Sequence, residues 1–143
     1  MKKLNTERKI ERYIKHLFGL DVKVKFKHHF WGGYSALCYR ECKLIEIQKS
    51  MTKYYDFMIA LIWHEVGHVF TAKPHKNYCL SVKNEVNAQI WAFKTAKKRK
   101  YNRVYKILMD DFKNCNGWKR HNYRRARSII LNKLKRRDFS LMK

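Results

Sequence analysis

The sequence predicts an α+β fold in which a small antiparallel three-stranded sheet packs on a buried helix and a helical C-terminal part follows. Between residues 22 and 48, short segments alternate apolar with polar or charged side chains, a pattern typical of half-buried strands. From about residue 53 onward, apolar residues recur every three or four positions, which is typical of helices. The chain has 143 residues, of which 45% are hydrophobic and 15% aromatic. It is therefore long enough to bury one core without disulfides or a structural metal.

The N-terminal part should contain one helix and three strands. Asn5 or Thr6 can cap the helix, and Gly19 suits the position just beyond its end. Residues 22–27 alternate apolar side chains with lysine, so the first strand should have one buried and one basic face. The three strands are expected at 22–27, 34–40 and 43–48.

Four helices are predicted for the rest of the chain. The first of them, at about 53–72, is apolar nearly all the way round, which indicates a helix buried on most sides, and Pro74 ends it. No repeat or Pro/Gly/Ser-rich linker interrupts the sequence, so a second independent domain is not expected. The remaining helices are expected at about 81–97, 101–112 and 118–137.

The buried helix contains the pattern His-Glu-x-x-His at His64, Glu65 and His68. Residues four apart lie on one helix face, so both imidazoles can bind one metal ion, and Glu65 can hold a water beside it. This pattern is typical of zinc-dependent peptidases.

A catalytic zinc usually has three protein ligands, so a third must come from further along the chain. Glu85, on the next helix, would face the two imidazoles if the helices pack antiparallel, and the small side chains of Ala88 and Ala92 favour close approach. His75, just beyond Pro74, is the alternative ligand. We prefer Glu85 on ligand geometry.

Two features of this helix favour a functional site over a chance match. Burying three polar groups in so apolar a helix, without a metal or partners, would cost several kcal/mol. Gly67 costs about 1 kcal/mol inside a helix, which indicates close approach to a metal or a neighbouring strand.

The residues HEVGH, followed by Glu85 in the setting E-x-x-A, resemble the gluzincin branch of zinc peptidases. More narrowly, they are similar to the compact ImmA/IrrE-type peptidases of phages and bacteria. The resemblance covers roughly residues 30–95, and its specific part is about six residues. Gln89 departs from it, because the family often has Asn or Asp after the Ala of E-x-x-A. SprT-like peptidases, which take a third His from the loop after the helix, are a weaker second match through His75.

The resemblance implies a zincin-like catalytic core at 1–96 and a basic helical C-terminal extension at 97–143 packed on the same domain. It implies that Zn²⁺ is bound by His64, His68 and Glu85, with Glu65 as the general base of a metallopeptidase, a hydrolase. A further donor should stabilise the oxyanion. The candidates are His75, Tyr78, His121 and Tyr123, and the sequence does not choose among them.

The net charge of the chain predicts a second property, which is contact with polyanions. The chain carries 34 Lys and Arg against 11 Asp and Glu, a net +23, and residues 97–143 contribute +14 of it. Such a field attracts polyanions, so we expect contact with nucleic acid or another polyanion, although a solvated basic surface is the alternative. The residues expected to make this contact are Lys119, Arg120, Arg124, Arg125 and Arg127.

The leading hypothesis is a zinc metallopeptidase that cleaves an intracellular protein or peptide substrate, which is nucleic-acid-associated if the basic surface recruits it. The alternative is a non-catalytic DNA- or RNA-binding protein on a zincin-like scaffold. No apolar run has the length of a signal peptide or a membrane span. We therefore expect a cytoplasmic protein, in the host cytoplasm if the gene belongs to a phage.

Overall fold

A computed structural model describes residues 3–28, 35–39, 43–71 and 81–143. These form a mostly helical α+β fold, which confirms the predicted class. Short 3-10 helices at Lys49–Lys53, Asn116–Lys119 and His121–Tyr123 lie between the longer elements. The helices are α1 (Glu7–Phe18), α2 (Tyr55–Thr71), α3 (Val82–Lys98), α4 (Asn102–Asn114) and α5 (Arg124–Lys135), and the strands are β1 (Lys23–Lys27), β2 (Ala36–Tyr39) and β3 (Leu44–Gln48).

The three strands form a mixed sheet in the order β1-β3-β2. β2 pairs antiparallel with β3, but β1 pairs parallel with β3, with Val24 opposite Ile45 and Phe26 opposite Ile47. The prediction of an antiparallel sheet is therefore wrong for β1. That prediction assumed that each strand pairs with the next in the sequence, whereas β3 lies in the middle and pairs with both others.

Helix α1 covers the outer edge of β1. Thr6 caps the helix by accepting a hydrogen bond from the Lys9 backbone N–H at 3.2 Å, and Gly19 ends it in the left-handed conformation at φ +68°. Two carboxylates of α1 then accept hydrogen bonds from the strand. Val24 N–H donates to Glu11 Oε2 and Phe26 N–H donates to Glu7 Oε2, each at 2.8 Å. These bonds satisfy backbone donors that an edge strand leaves unpaired.

Helices α2 and α3 pack closely at Gly67. A Cβ atom added to Gly67 would collide with the backbone carbonyl oxygen of Ala88 and would lie 3.0 Å from the Ala88 Cα. The close approach expected at Gly67 therefore involves the backbone of a neighbouring helix rather than a strand. It fixes how near the side chains of α3 come to those of α2.

The C-terminal helices contribute to the same hydrophobic cluster as the N-terminal elements, through Phe112, Trp118 and Ile130. The last helix begins at Arg124 rather than near residue 118 as predicted, because two 3-10 helices precede it. Trp118 lies in the first of them and is buried, with its ring centroid 5.0 Å from that of Phe112 and 5.5 Å from that of Tyr123. Within the described residues, no helix combines the length and the apolar character needed to cross a bilayer.

Candidate metal centre

His64, Glu65 and His68 form a cluster on α2 that could hold a metal ion. The two imidazoles lie one turn apart with 4.8 Å between ring centroids. One ligand atom from each of the three residues lies within 4.8 Å of the other two. The surrounding stretch of α2 is buried, including Trp63, Val66 and Gly67. The polar cluster therefore lies in an otherwise apolar part of the core.

Glu85 links the two imidazoles from the facing helix. It lies in the first turn of α3, and its residue is only 7% exposed. Glu85 Oε2 lies 2.9 Å from His64 Nε2, and Glu85 Oε1 lies 3.2 Å from His68 Nε2. The structure thus brings together the four residues that the sequence assigned to one site.

Gln89 is a site residue that sequence reasoning did not assign. It follows Glu85 by one helical turn, and its Oε1 lies 2.8 Å from His64 Nδ1. Because an amide oxygen only accepts hydrogen bonds, His64 donates through Nδ1, and its Nε2 faces Glu85. Such a bond fixes the ring orientation and the tautomer of a metal-binding histidine. The available signal was the four-residue spacing from Glu85, which places Gln89 on the same face of α3.

Burial and neighbouring opposite charges shift the pKa values of His64 and Glu85 in opposite directions. Burial lowers the pKa of His64, but the hydrogen bond and charge of Glu85, together with the charge of Glu65, outweigh it and raise the pKa to about 9. Burial raises the pKa of Glu85, but the two imidazoles outweigh it and hold that pKa well below its usual range. In the metal-free site a protonated His64 therefore pairs with an ionised Glu85, and a divalent cation could take the place of the proton.

The donor set fits a metal such as zinc. Two ligands on a tetrahedral zinc, with bonds of about 2.0 Å, are separated by about 3.3 Å. The separations of 2.9 and 3.2 Å between Glu85 and the two imidazole nitrogens are close to this value. Two imidazoles and one carboxylate are also a ligand set of catalytic zinc sites, in which the fourth position takes water.

Glu65 differs from Glu85 in its contacts. Its residue is 6% exposed, and burial raises the pKa of its carboxyl against the opposing charges of His68 and His64. Among the described residues, none donates a hydrogen bond to Glu65, although it lies within the cluster around His64 and His68. Its carboxylate thus remains available to a water molecule at the metal position.

The C-terminal part forms one wall of the site. The Trp118 ring packs edge-on against His64, with 5.3 Å between ring centroids. Asp111 on α4 is also near enough to interact electrostatically with His64. Burial raises the pKa of Asp111 to about 6, against the lowering effect of the His64 charge. Neither residue was identified from the sequence, since no spacing pattern connects them to α2.

The remaining predicted residues divide into two groups. His75 and Tyr78 lie outside the described residues. The five basic residues proposed for polyanion contact are described. Lys119, Arg124 and Arg127 line one groove beside Trp118, whereas Arg120 and Arg125 are exposed residues that are not part of its lining.

Comparison with known proteins gives no assignment for this chain. No protein-family model matches it, and no curated protein or solved structure matches it significantly.

Proposed function

We propose that this chain is a zinc metallopeptidase in which His64, His68 and Glu85 bind Zn²⁺. The observation that carries the proposal is the position of Glu85, whose two carboxylate oxygens reach the Nε2 atoms of both imidazoles at 2.9 and 3.2 Å. The peptidase class is supported by the His-Glu-x-x-His pattern and by the resemblance of HEVGH and E-x-x-A to gluzincins.

Each residue of the site has a defined role in the proposed reaction. When bound, zinc would supply a Lewis acid that activates water and polarises the scissile carbonyl. Glu65 accepts the proton of the attacking water and delivers it to the leaving amine. Gln89 orients the His64 ring by accepting a hydrogen bond from the His64 Nδ1 proton. His75, Tyr78, His121 and Tyr123 remain the candidates for the oxyanion donor.

The proposed substrate is a protein, cleaved in the cytoplasm. The +23 charge supports a substrate that is itself associated with nucleic acid, because the same field that attracts nucleic acid would concentrate the peptidase near its target. This part of the proposal is independent of the metal ligands.

Metal analysis and cleavage assays test the proposal together. We expect one zinc per chain in the wild type and in Glu65→Gln, and none in His68→Ala, because that variant loses one of three ligands. The matched control is His16→Ala, which removes an exposed histidine of α1 and should keep the zinc. Cleavage of unfolded casein and of a mixed peptide library should disappear in Glu65→Gln.

Zinc content tests the metal site, and cleavage tests the role of Glu65. A wild-type protein without zinc would overturn the metal site. If the wild type and Glu65→Gln both bind zinc and cleave equally well, the role of Glu65 as the base would be overturned.

A second candidate function is non-catalytic nucleic-acid binding on the same scaffold. The observation that favours it is the basic groove beside Trp118. It predicts that nucleic-acid binding is the only activity and that it survives loss of both histidines. Zinc-dependent cleavage by the wild type would exclude this candidate as the whole function.

A further inference from the structure

A groove runs along the outer face of α5, and we call it the basic groove. Its volume is about 620 Å³, and Trp118 forms part of its wall. No acidic side chain lines it in the part of the chain that the structure describes. The polar residues that line it are Lys119, Arg124, Arg127, Ser128, Asn132 and Lys135.

The groove follows one face of the helix. Arg124, Ser128, Asn132 and Lys135 are three or four residues apart, so they form a continuous stripe. The opposite face of α5 is buried, through Ala126, Ile130 and Lys133. Because a helix rises 1.5 Å per residue, the stripe from Arg124 to Lys135 is about 16 Å long.

Within the part of the chain that the structure describes, the cations of the groove lack anionic partners. Among the residues described, Lys119, Arg124, Arg127 and Lys135 form no salt bridge. Within the described ranges, the buried Arg127 Nε atom has no hydrogen-bond partner, and the guanidinium lies 5.9 Å from the Phe112 ring centroid. A buried donor without a partner is unfavourable.

The first turn of α5 has an unfavourable arrangement of charge. Three arginines lie in its first four residues, no acidic residue accompanies them, and no side chain caps the helix. The N-terminus of a helix carries a partial positive charge, so cations there repel it and an anion would be stabilised. An anion in the groove would relieve this repulsion.

We infer that the basic groove binds the phosphate backbone of a single nucleic-acid strand. A strand presents phosphates at regular intervals, which suits cations spaced along 16 Å of helix. Lys, Arg, Ser and Asn side chains are common phosphate contacts. The recess is the size of a small-ligand pocket, which admits one strand but not the body of a duplex. Trp118 is only 8% exposed, so it offers little surface for base stacking, and binding should depend weakly on base sequence.

Salt-dependent binding of a labelled 20-mer of deoxythymidine to the full-length protein tests the inference. The groove variant replaces three exposed cations, by Lys119→Gln, Arg124→Gln and Lys135→Gln. The control variant replaces three exposed cations elsewhere, by Arg12→Gln, Lys94→Gln and Lys98→Gln. Both variants carry the same net charge, so they differ only in where the charge is lost.

Counterion release sets the expected size of the effect. Each phosphate contact to a single strand contributes about −0.7 to the slope of log K against log salt. Loss of three contacts should reduce the slope by about 2 and weaken binding about 100-fold at 0.1 M salt. The control should keep the wild-type slope, since its cations lie outside the groove.

Three results would overturn the inference. Equal loss of affinity in the groove and control variants would mean that only net charge matters. A 20-bp duplex that binds as tightly as the single strand through the same three residues would rule out a single-strand site. A 20-residue poly-glutamate that competes as well as the oligonucleotide would assign the groove to acidic protein. Zinc content is measured on the same samples, so failure of this inference is distinguishable from failure of the metal site.

Discussion

Replacing Gly67 by alanine should destabilise the protein even though alanine is the better helix former. Alanine in place of a helical glycine contributes about 1 kcal/mol of stability by itself. Here the new Cβ would collide with the Ala88 carbonyl oxygen and lie 3.0 Å from two further Ala88 backbone atoms. No rotamer change can move backbone atoms, so α2 and α3 must separate, and overpacking of this kind costs about 1–3 kcal/mol. We expect a net loss of up to about 2 kcal/mol in the free energy of unfolding.

The same separation should weaken the metal site. Moving α3 away from α2 carries Glu85 away from His64 and His68, so we expect zinc affinity to fall more than tenfold. Urea unfolding of the metal-free protein and zinc titration against a chelator measure the two effects. The control is Gly117→Ala, whose added Cβ would lie 3.5 Å from the Cys115 Sγ atom, an ordinary contact. If Gly67→Ala were about 1 kcal/mol more stable, with unchanged zinc affinity, the close helix packing would be refuted.

Three further predictions address the site and the sheet. Gln89→Leu should weaken zinc binding about 10–100-fold, because His64 Nδ1 loses its acceptor, and Gln89→Glu should restore it; chelator competition measures both. In the metal-free protein the pKa of His64 is raised from 6.5 to about 9, so its contribution to stability is full below pH 6.5 and is lost as the pH rises through 9. The lowered pKa of Glu85 gives the opposite dependence, a contribution present above pH 4.5 and lost at lower pH. The urea midpoint, measured against pH with a chelator present, should therefore be highest between pH 4.5 and 6.5. A midpoint that does not change with pH would contradict the pairing of a protonated His64 with an ionised Glu85. Finally, Glu11→Ala should cost about 1–2 kcal/mol by leaving the Val24 N–H without its acceptor, whereas Glu11→Gln, which keeps an oxygen, should cost less in the same unfolding assay.

The parts of the site that follow from helix periodicity could be predicted from the sequence. His64 and His68 share a face of α2 because they are four residues apart. Glu85 was preferred over His75 as a third ligand further along the chain, and α3 places it against both imidazoles. The first inference needed only helix geometry, whereas the second also assumed antiparallel packing of α2 and α3 and used the resemblance to gluzincins.

The parts that depend on tertiary packing could not be predicted. Trp118 contacts His64 from a 3-10 helix, whereas the sequence predicted that Trp118 would begin a long α-helix. The position of β3 between β1 and β2 likewise depends on a crossover that alternation along each strand does not encode. Gln89 lay on the expected face of α3, but its bond to His64 depends on how closely α2 and α3 pack.

The two α1 carboxylates that accept hydrogen bonds from β1 have a consequence for how this protein behaves at high concentration. Exposed strand edges recruit strands from other molecules, which is a common route to aggregation. Since Glu7 and Glu11 already occupy the amides of Phe26 and Val24, β1 offers few free donors to an incoming chain. Loss of these two side chains would free both amides to pair with an incoming strand, so self-association through β1 should then increase.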